Sequence, residues 1–243
     1  MFNKFMSTSY FVFTKPKDQN ISENHENNII STKGRITYIL PENLFTDYAT
    51  TGLFESGLIE WSKQFCSPDK IFLDIGAHTG TYCLSLANYS KHVHAFEPQK
   101  MTYYSLCGGV ALSNLKNVTC HNFGLGDEEQ EGSMTLHIVS NDGGGSSVVP
   151  DTDTFLDTEE IQIKTLDSMN LENIGFIKMD VENNEENVLR GGFETLKKSN
   201  FPSIMFECND REQHSSLFEF LENLGYKIVT LMGARNMFLA CIS

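Results

Sequence analysis

The chain of 243 residues carries 18 Lys and Arg against 32 Asp and Glu, a net charge of −14. That surplus of acid argues against a nucleic-acid groove or a footprint on an anionic membrane, both of which need clustered Lys and Arg. With 40% hydrophobic residues there is enough apolar material for one substantial core. No stretch reads as a signal peptide or membrane span, and six cysteines without C-x-x-C spacing read as free thiols, so a cytoplasmic protein is expected.

Residues 1–50 are expected to form a small N-terminal extension. It holds an aromatic start (Phe2, Phe5, Tyr10, Phe11, Phe13), a polar, flexible linker over Asp18–Asn28, and β-branched residues over Ile29–Leu40 that suggest a hairpin around Lys33-Gly34. Residues 51–243 form the main domain. Gly52–Cys66 places Leu58, Trp61 and Phe65 at helical spacing. From residue 70 strands and helices alternate: strand 71–75, helix 80–90, strand 92–97, helix 100–113 and strand 118–122, a β-α-β-α-β half-sheet with right-handed crossovers. The alternation breaks over 124–170, where strands at 133–139 and 160–164 flank the Gly-rich stretch Asn141–Ser147, an expected insertion or lid. It resumes with strand 174–180, helix 184–198, strand 203–207 and helix 211–224. Strands 226–231 and 235–241, joined at Met232-Gly233-Ala234, should be antiparallel.

Ile71, Phe72, Leu73 and Ile75 read as a strand buried on both faces that runs into a glycine turn, Asp74-Ile-Gly-Ala-His-Thr-Gly80. Such a turn holds a dinucleotide, a nucleotide phosphate or S-adenosylmethionine. The dinucleotide fingerprint needs a glycine where this chain has His78, and no Gly-Lys-Ser/Thr of a P-loop follows Gly80. An acid at Asp74 suits a ligand bearing an ammonium or sulfonium better than one with two phosphates. Glu97, in Phe96-Glu-Pro98 at the end of the second strand, is placed to accept the hydroxyls of a ribose, or is a solvated strand-end acid. Asn122, Phe123 and Gly124 follow the third strand and edge an adenine, or form a plain loop.

In Ile177-Lys-Met-Asp-Val-Glu182, a period of two puts Lys178, Asp180 and Glu182 on one face of a strand, a heavy charge load for a parallel sheet. They form either a structural Lys178–Asp180 ion pair or a reactive cluster at the carboxyl edge, where ligands bind in open α/β sheets. Glu207 ends the next strand and faces the same crevice. Glu55, Ser146 and Ser147 are candidates for the acceptor pocket, although no nucleophile elbow surrounds the two serines. His78 sits inside the glycine turn. The seven histidines show no zinc spacing, and His92, His94 and His121 read as strand residues.

Together Gly-Leu-Phe-Glu55, Asp74–Gly80, Phe96-Glu-Pro98, Thr165-Leu-Asp167, Ile177–Glu182 with Glu185, and Phe201–Glu207 resemble the FkbM family of S-adenosylmethionine-dependent methyltransferases. The chain departs from the family pattern at Asn183, where glycine is usual, and at Cys107-Gly-Gly109, where asparagine is common. The resemblance implies an α/β, doubly wound, mostly parallel seven-stranded sheet of the Rossmann-like class I methyltransferases, with its last strand antiparallel. It also implies O-methylation of a hydroxyl on a sugar, glycan or related small molecule. S-adenosylmethionine would be bound by Asp74, Gly76, Ala77, His78, Gly80, Glu97 and Pro98, with Asn122, Phe123 and Gly124 near the adenine. The acceptor would lie near Asp180 and Glu207. Asp180 would take the hydroxyl proton, with Lys178 or Glu207 orienting it, or else Asp180, Glu182 and Glu207 would hold Mg²⁺. Two other readings stand beside this one: a methyltransferase acting on a macromolecule such as RNA ribose, disfavoured by the acidic charge, and a catalytically idle cofactor-binding module.

Overall fold

The computed structural model describes residues 9–14, 34–150 and 154–242. The unbroken apolar runs become strands of a seven-stranded sheet: β3 (Ile71–Ile75), β4 (His92–Phe96), β5 (Val118–His121), β9 (Ile174–Met179), β10 (Ser203–Glu207), β11 (Tyr226–Thr230) and β12 (Met237–Ile242). They lie in the order β11-β12-β10-β9-β3-β4-β5. β3, β4, β5, β9 and β10 pair in parallel, and β12 runs antiparallel to both β10 and β11. The expected architecture is therefore present, with the antiparallel strand in an interior position.

Successive side chains of a strand point to opposite faces, and here each face builds its own core. Leu73, Ile75, Ile177, Met179 and Phe206 pack with Val188 and Leu189 of α5 (Glu185–Arg190), Leu196 of α6 (Phe193–Lys198) and Leu217 and Leu221 of α7 (Ser215–Asn223). On the other face Phe72, Phe176 and Met205 meet Ile59 of α2 (Ser56–Ser62), Tyr82 and Leu84 of α3 (Thr81–Leu86) and Leu106 of α4 (Lys100–Leu112). Tyr38 and Leu40 of β2 (Thr37–Pro41) and Tyr48 of α1 (Phe45–Thr51) join that second core.

Several elements differ from the sequence expectation for identifiable reasons. The first half of the hairpin around Lys33-Gly34 lies outside the described residues, as does the Asp18–Asn28 linker; β2 pairs antiparallel with β1 (Tyr10–Thr14). The helix expected over 184–198 divides into α5 and α6 at Gly191-Gly192. A Cβ on Gly191 would lie 2.0 Å from the carbonyl oxygen of Gly126, so the chain bends where two backbones touch. The insertion is a three-stranded sheet in which β8 (Asp157–Thr165) pairs antiparallel with β7 (Gly132–Ile138) and parallel with the unforeseen β6 (Gly124–Gly126). All six cysteines are free, and no helix among the described residues is long and apolar enough to cross a membrane.

The chain passes from β3 to β4 and β5 on one side and returns to β9 on the other. That reversal opens a crevice beyond the carboxyl ends of β3 and β9.

Candidate active site

Backbone geometry sets the turn after β3. Gly76 has φ +73°, and a Cβ there would lie 1.8 Å from the carbonyl oxygen of Asp180, so only glycine lets the ends of β3 and β9 close together. The Asp180 N–H donates to the Ile75 carbonyl at 3.0 Å, and the N–H groups of Gly76 and Ala77 donate to that of Phe96 at 3.1 and 2.9 Å. His78 follows with φ 50°. Its backbone N–H donates to Glu97 Oε2 at 2.9 Å, and its Nε2 lies 2.6 Å from the carbonyl oxygen of Asp142. A carbonyl only accepts, so Nε2 carries the proton and Nδ1 is left to accept from the Thr79 hydroxyl at 3.4 Å. Burial holds the imidazole below its ordinary pKa, which suits this neutral tautomer.

Glu97 is buried, and its Oε1 accepts the Gln99 N–H at 2.8 Å. Burial pushes its carboxyl up to about 7, against the two backbone N–H bonds that favour the ionised form. Glu97 and Gly76–His78 form part of the wall of a cavity of about 420 Å³, and Glu55, Tyr82, Lys178, Asp180 and Glu182 form another part of the same wall.

The charged part is organised around Lys178. Its ammonium lies 3.1 Å from the Gly76 carbonyl, 3.4 Å from Asp180 Oδ2 and 5.3 Å from the centre of the Tyr82 ring. Burial works against that charge, but Asp180, Asp74 and Glu55 outweigh it and hold the lysine above its ordinary pKa. The Tyr82 hydroxyl donates to Glu55 Oε2 at 2.8 Å, which fixes a glutamate whose own backbone is left-handed at φ 52°. Glu207 sits behind Asp180, in a narrow crevice shared with Asp180, Glu182, Glu185 and His214. Burial and then the charges of Asp180 and Glu182 push its carboxyl up, the direction that favours a proton shared with Asp180.

The Gly-rich stretch is fastened at both ends. Asp142 is held by His78 and by Asn43, whose Nδ2 donates to Asp142 Oδ2 at 3.1 Å. Ser147 donates its hydroxyl to the Glu182 carbonyl and exchanges backbone hydrogen bonds with His137 of 2.9 and 3.1 Å. Gly143, Gly144, Gly145 and Ser146 thereby face the cavity.

Residues 74–228 match the family described as Methyltransferase FkbM domain, well over half of the chain. The chain belongs to the FkbM methyltransferase family. A curated relative, Methyltransferase 1 of Beauveria bassiana (strain ARSEF 2860), is 28% identical over 183 residues, covering 66% of this chain and 73% of the relative. Among solved structures, the methyltransferase FkbM from Methylobacillus flagellatus KT superimposes with a TM-score of 0.54 at 19% identity over 77% of this chain. The chain spans 46% of that protein's length, and the likeness is one of fold.

In this FkbM-family chain, Glu55, Gly76, Ala77, His78, Glu97, Pro98, Gly124, Ser146, Lys178, Asp180 and Glu182 share the cavity wall; six other expected residues do not, Glu207 lying in the crevice behind it. Asp74 is wholly buried: Oδ2 accepts the Cys83 N–H at 2.8 Å, Oδ1 has no hydrogen-bond partner, and burial pushes the carboxyl up to about 6. It is paired in register with Lys178 on the neighbouring strand and acts as that lysine's counter-charge rather than as a wall residue. A Cβ on Gly80 would meet Leu106 Cδ1 at 2.7 Å, so this glycine serves the packing of α3 on α4. Asn122 donates to the carbonyls of Glu97 and Pro98 at 3.1 and 2.9 Å and braces the strand end from behind. Phe123 packs on Phe96, and Ser147 is the fastening described above. The three acids suggested for Mg²⁺ share a crevice, but among the described residues no group of three or more His, Cys, Asp and Glu is placed to hold a metal ion.

Wall residues that sequence reasoning missed include Leu44, Tyr48 and Thr51, together with Phe54, Tyr82 and Gln99. The spacing of the first three, i, i+4 and i+7, is the signal of one helical face.

Proposed function

We propose that this chain transfers a methyl group from S-adenosylmethionine to a hydroxyl of a sugar, glycan or related small molecule. The observation carrying the reading is that one cavity wall joins the glycine turn and Glu97 to the Lys178–Asp180 pair, so donor and acceptor can meet in a single hollow. The residues present fit the donor. Each Glu97 oxygen already accepts one backbone N–H and retains a lone pair for a ribose hydroxyl, and Gly76 leaves bare backbone at the turn.

When bound, the donor supplies an electrophilic methyl on a sulfonium. The chain's share is alignment of the acceptor oxygen with that methyl, a gain of up to ~7–11 kcal/mol for well-oriented partners. Asp180 accepts the hydroxyl proton as general base, and Lys178, bonded to Asp180 and the Gly76 carbonyl, orients it and offers positive charge to the oxygen as it loses its proton. Glu207 donates to Asp180 from behind and keeps it aimed into the cavity. Glu55, Asp142 and Ser146 on the wall suit an acceptor with several hydroxyls. The net charge of −14 favours such an acceptor over RNA.

The test is transfer of labelled methyl from S-adenosylmethionine to a panel of free sugars, glycans and hydroxylated small molecules, with RNA in parallel. Products carrying label on a sugar or small-molecule oxygen support the reading. Labelling of RNA alone overturns it.

A further inference from the structure

Outside the cavity, the face of β4 and β5 brings together histidines far apart in the chain. His94 Nδ1 and His121 Nε2 stand 2.9 Å apart with nearly parallel rings, 13° between their planes. His92 lies beside them, its ring centre 4.8 Å from that of His94, with its Nε2 2.9 Å from the Thr119 hydroxyl. None of the three takes part in the methyl-transfer reading, and both members of the close pair are half-buried.

The separation of the pair has a chemical meaning. Two nitrogens bound at right angles to one metal at ~2.1 Å stand about 3.0 Å apart, whereas a tetrahedral pair stands about 3.4 Å apart. The observed 2.9 Å is that of a hydrogen bond in which one ring donates to the other, and it already holds the two nitrogens close to the right-angled spacing. Burial first, and for His94 also the neighbouring His121 and His92, push both pKa values down to about 4, so at neutral pH both rings are uncharged and protons do not compete for their lone pairs.

We propose that His94 and His121 form a two-nitrogen binding site for a divalent transition metal of square or octahedral preference, Ni²⁺ or Cu²⁺ ahead of Zn²⁺. The single proton now between the facing nitrogens moves to the outward nitrogen of its ring, and a modest swing of each ring turns both lone pairs to the metal. Water fills the remaining positions, consistent with the lack of any three-ligand cluster among the described residues. One feature opposes the cation: Lys164, whose ammonium lies 4.5 Å from the centre of the Phe123 ring, is close enough to His121 to depress its pKa. The site also adjoins the cavity, because the His121 ring stacks on that of Phe96, a wall residue, at 4.6 Å.

The experiment is calorimetric titration of the full, untagged chain with Ni²⁺, chosen because the six free thiols would reduce Cu²⁺. Saturable binding of one equivalent is expected, weaker for Zn²⁺. His94→Gln and His121→Gln should each lower Ni²⁺ affinity at least about tenfold, since even the loss of an outer-shell partner of a ligand costs that much. Lys164→Met should tighten binding, and His214→Gln, at the acidic crevice, should leave it unchanged. If a histidine variant fails to fold, paramagnetic broadening of wild-type amide signals by Ni²⁺ answers instead and should centre on residues 92–96 and 118–121. No saturable Ni²⁺ binding, equal affinity in wild type and both glutamine variants, or broadening centred on Asp180 and Glu207 would each overturn the proposal.

Discussion

The imidazole of His78 and the backbone of Asp142, 64 positions apart, are joined by a 2.6 Å hydrogen bond that ties the glycine turn to the Gly-rich stretch across the cavity. Because the N–H of the same histidine holds Glu97, the expected ribose acceptor and the loop over the cavity share one support. His78→Ala keeps the N–H but removes the ring. The expected outcome is faster hydrogen exchange over residues 141–147 and affinity for S-adenosylhomocysteine reduced by about tenfold, the loss of roughly one charge-free hydrogen bond. Unchanged exchange in that segment would count against the link.

Gly76→Ala tests the pinch between β3 and β9. A Cβ 1.8 Å from the Asp180 carbonyl cannot be relieved by a side-chain movement, because the obstacle is backbone. With φ +73° adding its own strain, a loss of at least ~2–3 kcal/mol is expected in urea denaturation.

Asp180→Asn separates chemistry from binding. The amide keeps the shape of the wall but accepts no proton. Turnover should drop by ~10²-fold or more, the usual contribution of a general base, while the dissociation constant of S-adenosylhomocysteine should stay close to that of the wild type. Equal loss of both would make Asp180 a structural residue.

Stability should fall as pH rises from about 6.5, where the opposing histidine contribution ends, to about 8, and level off above that. Burial raises Glu97 and Glu185 from 4.5 to about 7 and Glu207 to about 8, so each binds its proton more tightly folded than unfolded, and the folded state loses ground until pH passes the folded value. His78, His94 and His121, held low by burial, act at lower pH, where their protonation favours the unfolded chain. Lys178, raised overall, keeps its stabilisation throughout this window and loses it only above its ordinary 10.5. Melting temperatures across the range, with Glu207→Gln showing a shallower decline, check the assignment.

The strands of the large sheet were legible because a strand covered on both faces has no polar alternation, as in Ile71–Ile75 and Ser203–Glu207. The charged trio was equally legible, since a period of two puts Lys178, Asp180 and Glu182 on one face. Asp74 lies off the cavity wall for the same geometric reason: it is in register with Lys178, whose charge it balances, a relation between two strands a hundred residues apart. The break at Gly191 was hidden because its cause is the backbone of Gly126, and helical periodicity carries no record of a distant neighbour. Leu44, Tyr48 and Thr51 were not legible because they span a three-residue 3-10 turn and a helix of only seven residues, too short to show a clear helical period.

β12 lies between β10 and β11, although it follows both in the chain. Until Met237–Ile242 has left the ribosome, Ile204 and Phe206 belong to a strand with one unpaired edge, and β11 has no neighbour at all. Synthesis order and sheet order therefore disagree at this point. The sheet closes only by late insertion of a segment between waiting strands, and a nascent chain stalled just short of it offers an adhesive edge to chaperones or to other copies of itself.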